Sequence, residues 1–310
     1  MSRGVAYAPG SIGNVGPGFD VLGLAIGGAG VRVEVELVRG EAPPVVSIGR
    51  DAETIPVDPA KNAAAIAASA LLRASGSELV PAVRIESSLP VSGGMGASGA
   101  SSAAGAFAAA LALEVNPSRE DLLRAALEGE GAVAGRHLDN VATSILGGLV
   151  LSRSLDPIDA VALPVRAAWA LALVTPRVRI ETRNARGILP DESPRSEWIA
   201  QMANTTGVAA AFILGDGALL RRSLVDAFAE PRRAALIPNF ARVRQAALDA
   251  GALGCSISGS GPTVFAVAEH EDAARACAEA MREAFGEIDS VAHIGSIDRL
   301  GVRRAEEESR

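Results

Sequence analysis

The chain has 310 residues, 49% of them hydrophobic but only 3% aromatic, so it can bury a sizeable core, built from Ala, Val, Leu and Ile rather than from rings. Its net charge of −7 argues against nucleic acid as the main partner, because neutralising phosphates needs a basic face. Lys61 is the only lysine, which excludes a Gly-Lys-Ser/Thr phosphate loop and leaves one candidate for lysine chemistry.

A short strand is predicted at 5–8, then a Gly/Pro-rich loop at 9–18. Val31, Val33, Val35 and Leu37 alternate with Arg32, Glu34 and Glu36, the period of a half-buried strand. After Pro43-Pro44 the sheet resumes at 45–48. Asp58 as N-cap, Pro59 at the first helical position and Gly76 as stop bracket a helix. A strand at 83–86 runs into a segment without charge, 87–113. Its first half is rich in Gly, Ser and Pro, and its second half is an Ala-rich helix from about 98, too short to span a bilayer of ~30 Å. Ser118 and Asp121 read as a capping box, and 149–152 as a strand closing the first half.

The length suits about two domains. Pro157 and Pro164 mark the boundary, giving lobes 1–155 and 156–303 and a charged, frayed tail at 304–310. In the second half a strand at 169–174 precedes helices near 181–188, 195–213, 217–228 and 239–250. Two short strands flank Gly259-Ser260-Gly261-Pro262, followed by a helix at 272–285 and a strand at 291–294. The fold class is α+β with two lobes. Cys255 and Cys277 cannot make a disulfide framework, and His137, His270 and His293 are scattered without metal-ligand spacing. With no secretory signal evident, the expected compartment is the reducing cytoplasm.

Three motifs stand out. Pro90-Val-Ser-Gly-Gly-Met-Gly-Ala-Ser-Gly-Ala100, with Ser101 and Ser102 following, lies between a strand and a helix. Its glycines let backbone approach a ligand, and the helix start behind them offers free N–H groups and a positive dipole end. That is a phosphate cradle needing no lysine, or equally a small-residue loop for tight helix packing. Asn14 and Asp20 lie in SIGNVGPGFDVLGLAI, where an amide and a carboxylate can bind a small polar molecule or form Asx-turns. Gly254 to Thr263 reads as a glycine-tipped hairpin or a loop closing on a phosphate.

In their order and separation these motifs resemble those of the GHMP small-molecule kinases and, within that superfamily, the homoserine kinases. His137-Leu-Asp-Asn-Val-Ala142, Asn184-Ala-Arg-Gly-Ile-Leu-Pro190 and Glu230-Pro-Arg-Arg-Ala-Ala-Leu-Ile-Pro238 add to the likeness, which covers nearly the whole chain. It implies an N-terminal lobe like ribosomal protein S5, a ferredoxin-like C-terminal lobe, a homodimer, and no nucleic-acid or membrane partner. The implied reaction moves the γ-phosphoryl group of ATP to the hydroxyl of L-homoserine, a step of threonine biosynthesis, with Mg²⁺.

By the same resemblance, ATP would be held by Pro90, Val91, Ser92, Gly93, Gly94, Met95, Gly96, Ala97, Ser98, Gly99 and Ala100, with Gly259 and Gly261 from the second lobe and Asn62 near the adenine. Ser98 and Glu130 would hold the metal. Asn14, Asp20 and Asn140 would meet the ammonium and hydroxyl groups. Arg186 and Arg233 would meet the carboxylate, a task suited to a guanidinium fork. Thr182 would face the reacting hydroxyl. No dedicated strong base is expected, with Asp139 beside Asn140 the fallback. Ala97 stands where the family commonly has a serine, Met95 where it has leucine and Gly99 where it has alanine. The 135–140 segment is about one residue shorter than the family pattern. Competing readings are a mevalonate- or threonine-type kinase and a catalytically silent ligand-binding relative.

Overall fold

The computed structural model describes residues 2–305. A long antiparallel pair, β1 (Arg3–Gly13) and β2 (Leu22–Val38), founds the first sheet. The alternation at 31–37 buries Val31, Val33, Val35 and Leu37. β1, however, runs on through Pro9 to Gly13, where a loop was expected. Pro9 is tolerated because the ladder breaks beside it. Pro9 pairs with Gly30 and Gly10 with Ile26, so Gly27, Gly28 and Ala29 bulge out of β2. β4 (Val80–Ser87) joins β2 antiparallel, and β3 (Val46–Gly49) lies parallel to β4 at the edge.

α1 (Ala63–Ala74) and α2 (Ala97–Leu113) pack on this sheet, and α3 (Arg119–Val133) packs on both helices. A Cβ on Gly105 would lie 2.3 Å from the Ala64 carbonyl oxygen, and one on Gly129 2.4 Å from that of Ala63. These helices therefore meet backbone to backbone, which is how a chain poor in aromatics still reaches interior packing density. The predicted start at Asp58-Pro59 forms only a 3₁₀ turn. The α1 helix proper is capped by Asn62, whose Oδ1 accepts the N–H of Ala64 (3.0 Å) and Ala65 (3.2 Å). Ser118 and Asp121 do form the capping box of α3.

α4 (Leu138–Leu146) leads into β5 (Leu149–Leu155), which pairs with β2 and turns back as β6 (Ile158–Leu163). The division expected between 155 and 156 thus falls in a hairpin turn, and the first sheet continues to Leu163. The chain also returns to it, since Arg303–Arg304 form β11 against Ala6 and Tyr7. The start of the tail, expected to fray, is held in the sheet; 306–310 lie outside the described residues.

The second sheet holds β7 (Ala170–Pro176), β8 (Gly254–Ile257), β9 (Val264–Ala268) and β10 (Ser290–Ser296), all antiparallel in the order β10-β7-β9-β8. With α9 (Phe240–Asp249) before β8 and α10 (Glu271–Phe285) after β9, this is the expected ferredoxin-like arrangement. Ala172 and Val174 pack into the α9/α10 core, while Leu171 and Leu173 join the core shared with the first lobe. Four helices are inserted after β7: α5 (Thr182–Gly187), α6 (Arg195–Leu214), α7 (Gly217–Ser223) and α8 (Glu230–Arg233). The helix expected over 217–228 stops at Ser223. The Asp226 carboxylate takes the N–H groups of Phe228 (2.8 Å), Ala229 (3.1 Å) and Glu230 (2.8 Å), and so starts α8 instead. No helix of the described residues is long and apolar enough to cross a membrane.

Candidate functional site

Between the lobes lies a cavity of about 900 Å³. One wall is the predicted phosphate loop: Pro90, Val91, Ser92, Gly93, Gly94, Gly96, Ala97 and Ser98 all line it. Three successive carbonyls of that loop are tied back to the protein. Thr263 Oγ1 donates to Gly93 O (2.5 Å), Ser258 Oγ to Gly94 O (2.6 Å) and the Ser11 N–H to Met95 O (3.0 Å). The α2 start behind it carries N–H groups without intrahelical acceptors. Gly94 and Gly96 have φ of 82° and 66°; a Cβ on Gly94 would sit 2.5 Å from Ser258 O, and one on Gly96 would strike Ser11 Oγ. Backbone, not side chain, shapes this wall.

Some expected members of this set do not reach the cavity. Met95 is 3% exposed and packs beneath the loop, and Gly99 and Ala100 are buried inside α2. Gly259 lines the cavity; Gly261 instead packs against Ile237 and supports the hairpin. Asn62 lies on the wall, with its Oδ1 on the α1 cap and one Nδ2 hydrogen donated to Pro56 O (2.9 Å).

Ser98 and Glu130 face the same cavity. Glu130 is buried, and its Oε2 has no hydrogen-bond partner. Burial pushes its carboxyl up to about 7; the Ser98 hydroxyl opposes that shift and the Asp139 charge adds to it.

The acceptor side is built on charge. Arg186 Nη2 contacts both carboxylate oxygens of Asp20, at 2.6 and 2.7 Å, and lies 3.3 Å from His137 Nδ1. Burial holds the His137 pKa below its ordinary value, and the Arg186 cation adds to this. The Phe19 ring lies 5.2 Å from the Arg186 guanidinium and 5.3 Å from that of Arg233. Arg233 is buried, donating from Nε to Ala185 O (3.0 Å) and from Nη1 to Gly259 O (3.0 Å). Asn14 differs from expectation. Its Oδ1 accepts the Asp20 N–H (3.1 Å) and its Nδ2 donates to Gly259 O (3.0 Å), so it braces the loop under Asp20.

Asn140 lines the cavity between these two halves. Its Oδ1 accepts from Ser11 Oγ (2.9 Å), and its Nδ2 donates to Asp139 Oδ1 (3.3 Å). Asp139 is 3% exposed and is not on the cavity wall, so the fallback base stands behind Asn140. Thr182 opens α5; its side chain lies outside the described residues. Sequence reasoning missed Ser11, Phe19 and His137. Each lies in a motif already singled out, Ser11 and Phe19 in SIGNVGPGFDVLGLAI and His137 two residues before Asp139, but the contacts that give them a role are long-range.

The family model described as GHMP kinases N terminal domain matches residues 61–148, and that described as GHMP kinases C terminal matches 208–287. The homoserine kinase of Chlorobium phaeovibrioides is 41% identical over 292 residues, covering 90% of this chain and 91% of its own. That of Arabidopsis thaliana is 36% identical, covering 98% and 85%. The crystal structure of homoserine kinase from Cytophaga hutchinsonii superposes with a TM-score of 0.92 at 38% identity, over 98% of this chain and 97% of the other. Mevalonate kinase from L. major shares the fold, with a TM-score of 0.69 at 16% identity over 97% and 96%. With both family models matched in order and identity near 40% across nearly its whole length, the chain belongs to the homoserine kinase family of the GHMP kinases.

Proposed function

We propose that the chain transfers the γ-phosphoryl group of ATP to the side-chain hydroxyl of L-homoserine, giving O-phospho-L-homoserine and ADP. The observation that carries this is that Arg186, paired with Asp20, lines the same cavity as the phosphate loop and Asn140. A small zwitterion inserts into such a pair, its ammonium to Asp20 and its carboxylate to Arg186, with Arg233 adding charge behind the Phe19 ring. An isoprenoid acid satisfies only the cationic half. The Asn140 Oδ1 then accepts from the substrate hydroxyl and aims it at the phosphate loop, a contribution of positioning rather than proton abstraction. We retain the reading without a dedicated strong base, since Asp139 is shielded by Asn140.

The residues present fit a magnesium ion. Glu130 supplies a buried, unpartnered carboxylate oxygen and Ser98 a hydroxyl beside it, and a phosphate-bound Mg²⁺ needs few protein ligands. Bound there with ATP, it would neutralise phosphate charge. The chain's own part is to hold the Glu130 carboxyl and the Ser98 hydroxyl on one wall and to present the α2 amides.

A coupled ADP-release assay with Mg-ATP and L-homoserine, L-threonine, L-serine or mevalonate tests the reading. Homoserine-dependent release, absent with the others, is expected; turnover of mevalonate alone would overturn it.

A further inference from the structure

Resting on the proposed phosphorylation, we propose that Asp139 is a positioning residue: its carboxylate orients the Asn140 amide toward the acceptor hydroxyl and anchors the strained turn that carries Asp20.

The amide of Asn140 is wedged where the two halves of the site meet. Its Oδ1 lies 3.1 Å from where a Cβ on Gly96 of the phosphate loop would be, and 3.1 Å from one on Gly13 at the end of β1. A carboxamide has two orientations of nearly equal shape, and only its hydrogen-bond partners choose between them. An ionised carboxylate accepts and does not donate, so Asp139 Oδ1 selects Nδ2 as its neighbour. The Ser11 hydroxyl, donating to Oδ1, makes the same choice from the other side. The carbonyl oxygen keeps a lone pair for the cavity that Asn140 lines.

The same carboxylate reaches the substrate loop. Its Oδ2 lies 2.7 Å from where a Cβ on Gly13 would be, and the neighbouring Asn14 backbone N–H favours its charged form. Asn14, Val15 and Gly16 have φ of 68°, 47° and 73°, three successive left-handed residues, one of them a fully buried β-branched valine. Such a turn persists only where neighbours fix it. Beyond it, Asn14 Oδ1 holds the Asp20 N–H. One buried carboxylate therefore ties the orientation of the hydroxyl acceptor to the placement of the ammonium acceptor. The charged groups around it are Asp20, Glu130, Arg186 and Arg233.

The test is a double-mutant cycle on homoserine-dependent ADP release with Asp139→Asn, Asn140→Ala and the double variant. Asp139→Asn keeps the shape but adds a donor, so both Asn140 orientations become satisfiable. Expected are a 10- to 100-fold loss of kcat, a homoserine KM within about fivefold of wild type, and a double variant within threefold of Asn140→Ala. A kcat within twofold of wild type in Asp139→Asn would overturn the proposal. So would losses that multiply in the double variant, which would mean that Asp139 acts on the substrate directly. An unchanged melting shift with Mg-ATP verifies the fold. If Asp139→Asn does not fold, the pH dependence of kcat decides, compared between Glu130→Gln and Glu130→Gln/Asn140→Ala so that the other raised carboxyl is absent from both. An acid limb present in the first and absent in the second supports the proposal, and one retained contradicts it. If wild type turns over a different alcohol, the homoserine reading fails by itself, and the same kcat ratios are then read with that alcohol.

Discussion

The phosphate loop lines the cavity itself, whereas the substrate loop meets it through Arg186, and the two recognise their ligands by opposite means. The wall from Pro90 to Ser98 carries no charged side chain; its carbonyls are tied back by Ser11, Ser258 and Thr263, and α2 supplies the amides. The Asn14–Asp20 segment, also held in left-handed backbone, instead presents a carboxylate paired with Arg186. A polyanion common to many enzymes suits fixed dipoles, whereas a particular small zwitterion needs charges at set spacing. The difference predicts that each loop fails in its own way.

The largest effect is expected at Gly94. Alanine there combines a left-handed φ with a Cβ 2.5 Å from the Ser258 carbonyl oxygen, backbone that cannot step aside. Steady-state kinetics of Gly94→Ala should show kcat/KM for ATP down on the order of 100-fold or more, equivalent to ~3 kcal/mol, together with a lower melting temperature. Retained ATP kinetics would mean that the loop is not a rigid cradle.

Glu130→Gln is expected to cost about tenfold in kcat at saturating substrates and to raise the Mg²⁺ concentration needed for half-maximal rate. It also changes pH dependence in a defined direction. The Glu130 pKa rises from 4.5 in the free side chain to about 7 in the fold, and that of Asp139 from 3.8 to about 7. Each acid's contribution to stability is full below its unfolded pKa and is lost as pH rises through about 7. The melting temperature of metal-free protein should therefore fall between pH 5 and 8. Glu130→Gln should remove part of that fall, on the order of 2 kcal/mol at pH 8. A melting temperature that rises over that range would contradict the burial of both acids.

The smallest effect belongs to Asn62. Its alanine variant loses the α1 cap and should cost ~1 kcal/mol in denaturant unfolding, with KM for ATP within about threefold of wild type. A much larger KM change would restore Asn62 as a direct adenine contact.

Much of this site was legible because its signals are local. Glycine spacing ahead of a helix marks the loop as special, and the resemblance of the motifs together assigns it to phosphate. The Ser118–Asp121 box follows from the cap residues themselves, and the ferredoxin-like order of β7 to β10 is what the family resemblance implied. What escaped was set by distant partners. Pro9 and Gly10 read as loop until β2 supplies a bulge opposite them. The helix through 224–228 is undone by Asp226, whose carboxylate offers the backbone a better arrangement than another turn. Asn14 and Asn62 stand out in the sequence as candidate ligand-binding amides, yet the hydrogen bonds both make run to the protein. No sequence pattern says that Ser258 and Thr263 grip carbonyls 164 and 170 positions earlier in the chain.

The most direct test of the division between the two loops is Arg186→Ala, assayed by ADP release while homoserine and ATP are varied independently. Loss of a charge-assisted contact worth ~2–3 kcal/mol predicts a homoserine KM raised roughly 30- to 150-fold, with the KM for ATP within about twofold of wild type. A KM for ATP that rises in step with that for homoserine would show that the two walls are one coupled site and would contradict the account.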